Sequence, residues 1–115
     1  MTIQYITRKG SFDAAHRVLH QASKCKSYHG HSFQYELTLS FSEMDKLDGS
    51  YAIDYSEIKR VGCQWVDDFF DHGSIVNPKD PLLPTLLEDS NNKVWVMSLY
   101  GKDNFCNPSS ENIAK

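Results

Sequence analysis

Strict alternation of apolar and polar residues predicts one long strand in the first half of the chain. A period of two is typical of a strand with one buried face, and it runs unbroken over residues 31–41. The apolar positions of this run are Phe33, Tyr35, Leu37, Leu39 and Phe41. Residues 2–16 also favour a strand, with a bulge or bend expected at Gly10-Ser11. The polar residues 17–28 are expected to form the loop between the two.

Helical spacing of apolar residues follows in the middle of the chain. Apolar side chains recur at positions 58, 61, 65, 66, 69 and 70, which is typical of an amphipathic helix. Asp54, with Glu57 three residues later, is a variant of the capping box and predicts the start of this helix. Residues 73–92 contain three prolines and are expected to be mostly loop, whereas residues 93–99 predict a short strand.

The last nine residues have the pattern of a helix start. Asn107 is expected as the capping residue, Pro108 as the first helical residue and Glu111 as an acid in the first turn. About two turns remain before Lys115, so we expect a truncated chain or a piece of a longer protein. Together the elements predict an α+β fold, and its exposed sheet edges predict association with other copies.

Composition narrows the classes of function. A length of 115 residues suffices for one domain. The net charge of -3 and the pI of about 5.9 argue against a nucleic-acid partner. No apolar run approaches the roughly 20 residues that span a bilayer, and the N-terminus lacks the pattern of a signal peptide. We therefore expect no membrane association and a cytoplasmic location, where the three widely spaced cysteines would be free thiols.

Three histidines form the strongest chemical pattern. His29 and His31 are two apart on the predicted strand, so their side chains share one face. His16 ends the first strand in phase with Phe12 and Ala14, and a hairpin of the two strands would place it opposite the His pair. Three neutral imidazoles without a fourth protein ligand are typical of an open, catalytic zinc site. A closed structural site, with Cys25 as the fourth ligand, remains the alternative.

Two further patterns could carry proton transfer. Cys25 lies between Lys24 and Lys26, and positive neighbours favour the thiolate form that could act as a base; an exposed thiol without a role is an equal alternative. Asp71 precedes His72, and a carboxylate beside an imidazole can fix its tautomer. From the residues alone, a simple helix end is the better interpretation of the Asp–His pair.

Five motifs, in this order, resemble those of the 6-pyruvoyltetrahydropterin synthase family, which includes the 6-carboxytetrahydropterin synthases of queuosine biosynthesis. The motifs are Phe12-Asp13-Ala14-Ala15-His16, Cys25-Lys26-Ser27-Tyr28-His29-Gly30-His31, Ile53-Asp54-Tyr55, Asp71-His72-Gly73 and Asn107-Pro108-Ser109-Ser110-Glu111-Asn112. The three-residue gap between Cys25 and His29 is similar to that of the 6-carboxy branch. Phe70 departs from the leucine that many relatives have before the Asp–His pair.

The resemblance implies a role for each of these residues. Its zinc ligands are His16, His29 and His31, its base is Cys25, its proton relay is Asp71 with His72, and its substrate-binding residues are Ser109, Ser110 and Glu111. It implies the tunnelling fold, an antiparallel sheet with helices packed on one face, in a homo-oligomer that is usually a hexamer. Residues 1–115 would then be a single pterin-synthase-like domain. The rest of the family's C-terminal helix and its last two strands, one of which carries a pterin-anchoring glutamate, have no counterpart here.

The implied activity is that of a zinc-dependent 6-carboxy-5,6,7,8-tetrahydropterin synthase. Such an enzyme converts 7,8-dihydroneopterin triphosphate to 6-carboxytetrahydropterin, acetaldehyde and triphosphate. Two alternatives stay open. A 6-pyruvoyltetrahydropterin synthase would eliminate triphosphate without cutting a carbon–carbon bond, and a non-catalytic remnant would use zinc only to hold its fold.

Overall fold

The fold is built on a long antiparallel hairpin. The computed structural model describes residues 3–42 and 55–115. Strand β1 is Ile3–His16 and strand β2 is His29–Ser42, and the pairing runs without interruption along both strands. The polar composition of residues 17–28 predicts the loop between the two strands, and this loop contains one short 3₁₀ turn, Lys24–Lys26. This hairpin sets the register of the histidines, because the last residue of β1 lies opposite the first residue of β2.

The bulge or bend predicted at Gly10-Ser11 is wrong. Gly10 pairs with Tyr35 in the same unbroken register as its neighbours. Gly10 fits this position because it has no side chain: a Cβ here would lie 2.4 Å from the Cζ atom of the Tyr35 ring. The glycine therefore makes room for an aromatic side chain of the opposite strand and does not mark an irregularity of the backbone.

The predicted amphipathic helix is present in three consecutive pieces. Helix α1 is Tyr55–Ile58, a π-helical segment is Lys59–Cys63 and helix α2 is Gln64–Phe69. The predicted cap at Asp54 lies outside the described residues. A single π turn widens a helix and shifts the faces on either side of it. The helix thus continues through Gly62, although glycine lowers helix propensity.

The segment predicted as loop contains a strand and a helix. Strand β3 is Gly73–Val76, helix α3 is Leu83–Glu88 and strand β4 is Val94–Val96, so the expectation for 73–92 is wrong in part and that for 93–99 is confirmed. Strand β3 is short and nearly all of its residues are buried, so it lacks the alternation of apolar and polar residues that would predict a strand. Proline in the first turn of α3 is compatible with a helix, because that turn has amide groups without intrahelical partners.

The sheet is mixed and not wholly antiparallel. Its strand order is β2-β1-β3-β4, and β3 runs parallel to both of its neighbours. The expectation of an antiparallel sheet holds for the hairpin only, whereas the α+β class is confirmed. Helix α4 is Ser110–Ile113. The predicted cap at Asn107 is wrong, since the Ser109 hydroxyl is the side chain that accepts from the first turn.

One apolar cluster connects the sheet to the helices. In this cluster, side chains of even-numbered β1 residues pack against side chains of β2, α2 and β3 and of the segment between β4 and α4. Its buried members are Phe12, Ala14, Phe33, Val66, Ile75, Met97 and Cys106. Among the described residues, none of the helices has the length and apolar content that crossing a membrane requires. The hairpin end that carries the histidines lies at the edge of this core, with His16 in phase with Phe12 and Ala14.

Candidate metal and catalytic site

Three imidazoles converge at the loop end of the hairpin. His16 lies opposite His29, and His31 lies opposite Ala14, so all three side chains share the face of the sheet that carries the core. One nitrogen from each ring lies within 4.8 Å of the others. The ring centroids of His16 are 4.7 Å from His29 and 5.7 Å from His31. These three histidines could hold a metal ion, and it is the hairpin register that brings them together.

Backbone carbonyls orient two of the three rings. The Nδ1 atom of His16 lies 2.7 Å from the Pro108 carbonyl oxygen, and that of His29 lies 2.6 Å from the Ser27 carbonyl oxygen. A carbonyl oxygen can only accept, so Nδ1 carries a proton in both rings, and in a neutral ring of this tautomer Nε2 is the nitrogen with the lone pair. Ring fixation of this kind is typical of metal-binding histidines. Ser27 and Pro108 both lie in the recognised motifs, but the role of their carbonyls could not be predicted, because every residue has a backbone carbonyl.

Burial favours the neutral, ligating form of His16. Only 6% of this residue is exposed. Burial lowers the pKa of His16, the neighbouring imidazoles lower it further, and the hydrogen bond to Pro108 opposes them. A neutral imidazole is the form that binds a cation. Three nitrogen donors with no protein carboxylate or thiolate among them fit zinc in an open site.

Cys25 is exposed and lies in the 3₁₀ turn between His16 and His29. Its backbone is held from both sides: the amide donates to the Ser23 hydroxyl at 3.3 Å, and the carbonyl accepts from the Val18 amide at 2.7 Å. In the described part of the chain, the thiol does not belong to the group of ligand atoms formed by the three imidazoles. A four-ligand site closed by Cys25 is therefore not formed within this chain.

Asp71 and His72 form a pair that β1 braces. The His72 Nδ1 atom lies 2.7 Å from the Asp71 carboxylate, and the other carboxylate oxygen accepts from the Asp13 amide at 2.9 Å. The Asp13 carbonyl accepts from the His72 amide at 2.7 Å. The hydrogen bond from the Asp13 amide lowers the pKa of Asp71, and the bond from His72 lowers it further. The carboxylate thus stays ionised and orients the imidazole, and sequence reasoning missed Asp13 as its support.

The His72 backbone has a left-handed conformation, with φ at 61°. Helix α2 ends at Phe69 with Phe70 as its C-cap, and His72 follows two residues after this cap, at a φ that glycine adopts without strain. A histidine there costs free energy that a glycine would not. Its ring is exposed, with 81% of the side chain accessible. His72 is thus a strained residue within a pair that can move a proton, and such strain is typical of a functional site.

Two cavities adjoin His31. One, of about 460 Å³, is also lined by His72, Gly30 and Gly73, so His31 and His72 border the same space. The other, of about 580 Å³, is mostly apolar and is also lined by Ser110. Cys25 lines neither cavity within this chain. His31 therefore shares one cavity with His72 and the other with Ser110, whereas Cys25 lies on the loop between β1 and β2.

The other two predicted substrate-binding residues lie at the start of α4, Ser109 as its N-cap and Glu111 in its first turn. The Ser109 hydroxyl accepts from the Asn112 amide at 3.3 Å, so it acts as the helix cap. The Glu111 side chain is exposed, and it is an acid in the first turn, as expected. Of the predicted set Ser109, Ser110 and Glu111, the structure therefore places Ser110 at a cavity wall.

Comparisons with known proteins identify relatives of this chain. Residues 5–115 match the family model of 6-pyruvoyl tetrahydropterin synthase. Curated proteins named 6-carboxy-5,6,7,8-tetrahydropterin synthase match from Rickettsia felis, with 34% identity over 94% of this chain and 72% of theirs, and from Rickettsia bellii, with 35% identity over the same shares. The protein of that name from Aquifex aeolicus is 27% identical over 96% of this chain and 74% of its own.

A solved structure is also similar to this chain. The crystal structure of an uncharacterised protein from Wolinella succinogenes superimposes with a TM-score of 0.59 at 26% identity, over 76% of this chain. This chain covers 52% of that protein's length, and so spans about half of it. The likeness is consistent with the tunnelling fold that the sequence motifs imply. The chain belongs to the 6-pyruvoyl tetrahydropterin synthase family.

Proposed function

We propose that this chain carries the site of a zinc-dependent 6-carboxy-5,6,7,8-tetrahydropterin synthase of queuosine biosynthesis. Its substrates would be 7,8-dihydroneopterin triphosphate and one water molecule, and its products 6-carboxytetrahydropterin, acetaldehyde and triphosphate. The observation that carries the proposal is the histidine cluster: three convergent imidazoles, two of them fixed by backbone carbonyls, beside two open cavities. The names of the relatives from Rickettsia and Aquifex support the choice of reaction.

His16, His29 and His31 would hold the zinc. A bound zinc would supply Lewis acidity, which would lower the barrier to removing a proton from the substrate carbon. The apolar cavity beside His31 would take the flat pterin ring, with the Ser110 hydroxyl at its wall. Ser109 and Glu111 complete the proposed substrate-binding set, as the residues directly before and after Ser110 at the start of α4.

Proton transfer is assigned to Cys25 and to the Asp–His pair. Cys25 would remove the proton from carbon, and His72, oriented by the ionised Asp71, would exchange a proton at the neighbouring oxygen. Each such step typically contributes a hundred- to ten-thousand-fold. We expect the protein to form a homo-oligomer, and specifically a hexamer. Strand β2, a 14-residue edge strand, offers the pairing surface for it.

The 6-pyruvoyl reaction is the second candidate, because the matching family model carries that name. The two reactions differ in the pterin that they form and in whether acetaldehyde is released. Cleavage of the carbon–carbon bond releases acetaldehyde, whereas the 6-pyruvoyl reaction releases triphosphate alone. Incubating the zinc-loaded protein with 7,8-dihydroneopterin triphosphate and assaying both products therefore separates them. Triphosphate with an equal amount of acetaldehyde supports our proposal, and triphosphate without acetaldehyde contradicts it.

Replacing the proposed base tests the mechanism. We expect Cys25→Ala to keep its zinc and to lose at least about a hundredfold in turnover, because the thiol would act only in proton transfer. Cys63→Ala is the matched control, since Cys63 is a half-buried thiol in the π-helical segment, outside the loop that carries Cys25. Near-normal turnover of Cys25→Ala would remove the thiol from the mechanism.

A further inference from the structure

Asn107 connects the segment before α4 to the loop that carries Cys25. Its side-chain amide engages both polar backbone groups of Leu19. The Leu19 amide donates to Oδ1 at 3.0 Å, and Nδ2 donates to the Leu19 carbonyl, also at 3.0 Å. This reciprocal pair has the pattern of one hydrogen-bonded pair in an antiparallel ladder. A side chain must supply both a donor and an acceptor to make it, which an amide does and a carboxylate does not.

The segment around Asn107 is itself fixed in the core. Asn77, which is 1% exposed, donates to the Asn107 Oδ1 atom at 3.1 Å and accepts from the Cys106 amide, also at 3.1 Å. The next residue, Pro108, supplies the carbonyl that orients the His16 ring. The segment 106–108 therefore contacts a metal-cluster histidine through one residue and the Cys25 loop through the preceding one.

Three consecutive residues at the base of the loop are anchored. Arg17 donates to the buried carboxylate of Asp80 at 2.8 Å, and Leu19 is held by the amide described above. Between them, the Val18 amide donates to the Cys25 carbonyl at 2.7 Å. Cys25 is thus one hydrogen bond away from a residue that is fixed on both sides, although it lies on an exposed turn.

We propose that Asn107 is a positioning residue for Cys25. The two hydrogen bonds between the Asn107 side chain and the Leu19 backbone form a clamp on this loop. Through the Val18–Cys25 hydrogen bond, the clamp fixes the position of the Cys25 backbone relative to His16 and its neighbours. The inference rests on the proposed role of Cys25 as the base. It assigns no contact between Asn107 and the substrate. Displacing a reacting group by about 1 Å can cost about a hundredfold in rate, so the clamp matters for turnover even though it lies away from the chemistry.

The kinetic test compares two substitutions with a control in the zinc-loaded protein. Asn107→Ala removes both hydrogen bonds, and Asn107→Asp keeps the acceptor but places a second acceptor against the Leu19 carbonyl. We expect kcat to fall about 10- to 100-fold, with KM within about twofold and zinc content unchanged, because the groups that hold metal and pterin stay in place. The control is Asn92→Ala, whose exposed amide makes a single bond to the Leu86 carbonyl at 3.0 Å and should leave kcat unchanged.

A second measurement does not depend on activity. Hydrogen exchange of the Val18 amide reports whether the loss of Asn107 reaches the Val18–Cys25 bond. We expect this exchange to rise at least about tenfold in both variants, while the Met97 amide, bonded to the Val76 carbonyl in the core sheet, stays as protected as in the wild type. If Asn107→Ala does not fold, Asn107→Asp supplies the same comparison.

The outcomes separate this inference from the proposed function. If only the Leu19 amide exchanges faster while Val18 stays protected, Asn107 does not position Cys25 and the inference is wrong. Equal loss of protection at Val18 and Met97 would show a general stability effect and would also overturn it. If Val18 loses protection selectively but the wild-type protein has no synthase activity, the clamp is real and it is the proposed function that fails.

Discussion

Asp80→Asn tests the ion pair that anchors the base of the Cys25 loop. The Asp80 carboxylate accepts two hydrogen bonds from the Arg17 guanidinium and one from the Leu82 amide at 2.9 Å. Only 4% of the Asp80 side chain and 21% of the Arg17 side chain are exposed. An amide at position 80 would fill the same space and keep an acceptor for Leu82, but it would leave the Arg17 charge without its counter-ion.

The expected cost follows from this burial. Breaking a fully buried ion pair by removing one partner costs about 3–5 kcal/mol. Because Arg17 is partly exposed and the Leu82 bond survives, we expect about 2–3 kcal/mol in the free energy of unfolding. The bonds from Arg17 lower the pKa of Asp80, with the Leu82 amide acting in the same direction against the effect of burial. Stability from such a carboxylate is complete above its unfolded pKa of about 3.9 and is lost as pH falls through its lower folded pKa.

Urea unfolding of both proteins at several pH values measures this difference. The gap between wild type and Asp80→Asn should be largest and constant from pH 7 down to about 5, and should narrow below about pH 4 as the wild-type carboxylate is protonated. Glu88→Gln, at an acid outside this pair, is the control for a loss of one negative charge. A gap below about 0.5 kcal/mol at pH 7, or one that does not narrow in acid, would refute the reasoning.

Two further substitutions test the strain and the packing of the site. His72→Gly should raise the free energy of unfolding by about 1 kcal/mol, because glycine accepts the positive φ without a steric penalty, while turnover falls; thermal unfolding and a product assay would show both effects, and a loss of stability would contradict the first. Phe12→Ala should cost about 3–5 kcal/mol, since its ring is 5% exposed and stacks on Phe33 with centroids 4.9 Å apart. Phe69→Ala, at an exposed ring, should cost less than half as much in the same denaturation experiment, and equal costs would show that the core is placed wrongly.

The arrangement of the histidines could be predicted from the sequence because strand geometry is simple. A side-chain period of two puts His29 and His31 on one face, and the equal phase of His16 on β1 completes the set once the strands pair as a hairpin. The Asp–His pair could not be assigned from the residues alone, because the same dipeptide also fits a helix end. Its support by the Asp13 backbone is a tertiary contact across 58 residues, which no local pattern encodes.

Other elements were missed because their signals are weak or ambiguous. Strand β3 is four residues long and nearly all buried, so it has no alternation. The prolines after it also occur in helical first turns, as Pro84 does in α3. Asn107 is of a residue type that often caps helices, but its side-chain amide binds the Leu19 backbone, and Ser109 acts as the cap of α4 instead. A short polar side chain can serve either purpose, and only the folded chain decides between them.

X-ray absorption of the zinc-loaded protein tests the central claim most directly: that His16, His29 and His31 hold a cation and leave one position open. We predict three imidazole nitrogens and one further light atom at about 2.0–2.1 Å, with loss of the metal in His31→Ala and full zinc content in the control His20→Ala. A sulfur ligand at about 2.3 Å would show a closed structural site instead. Full zinc content in His31→Ala would contradict the ligand set itself.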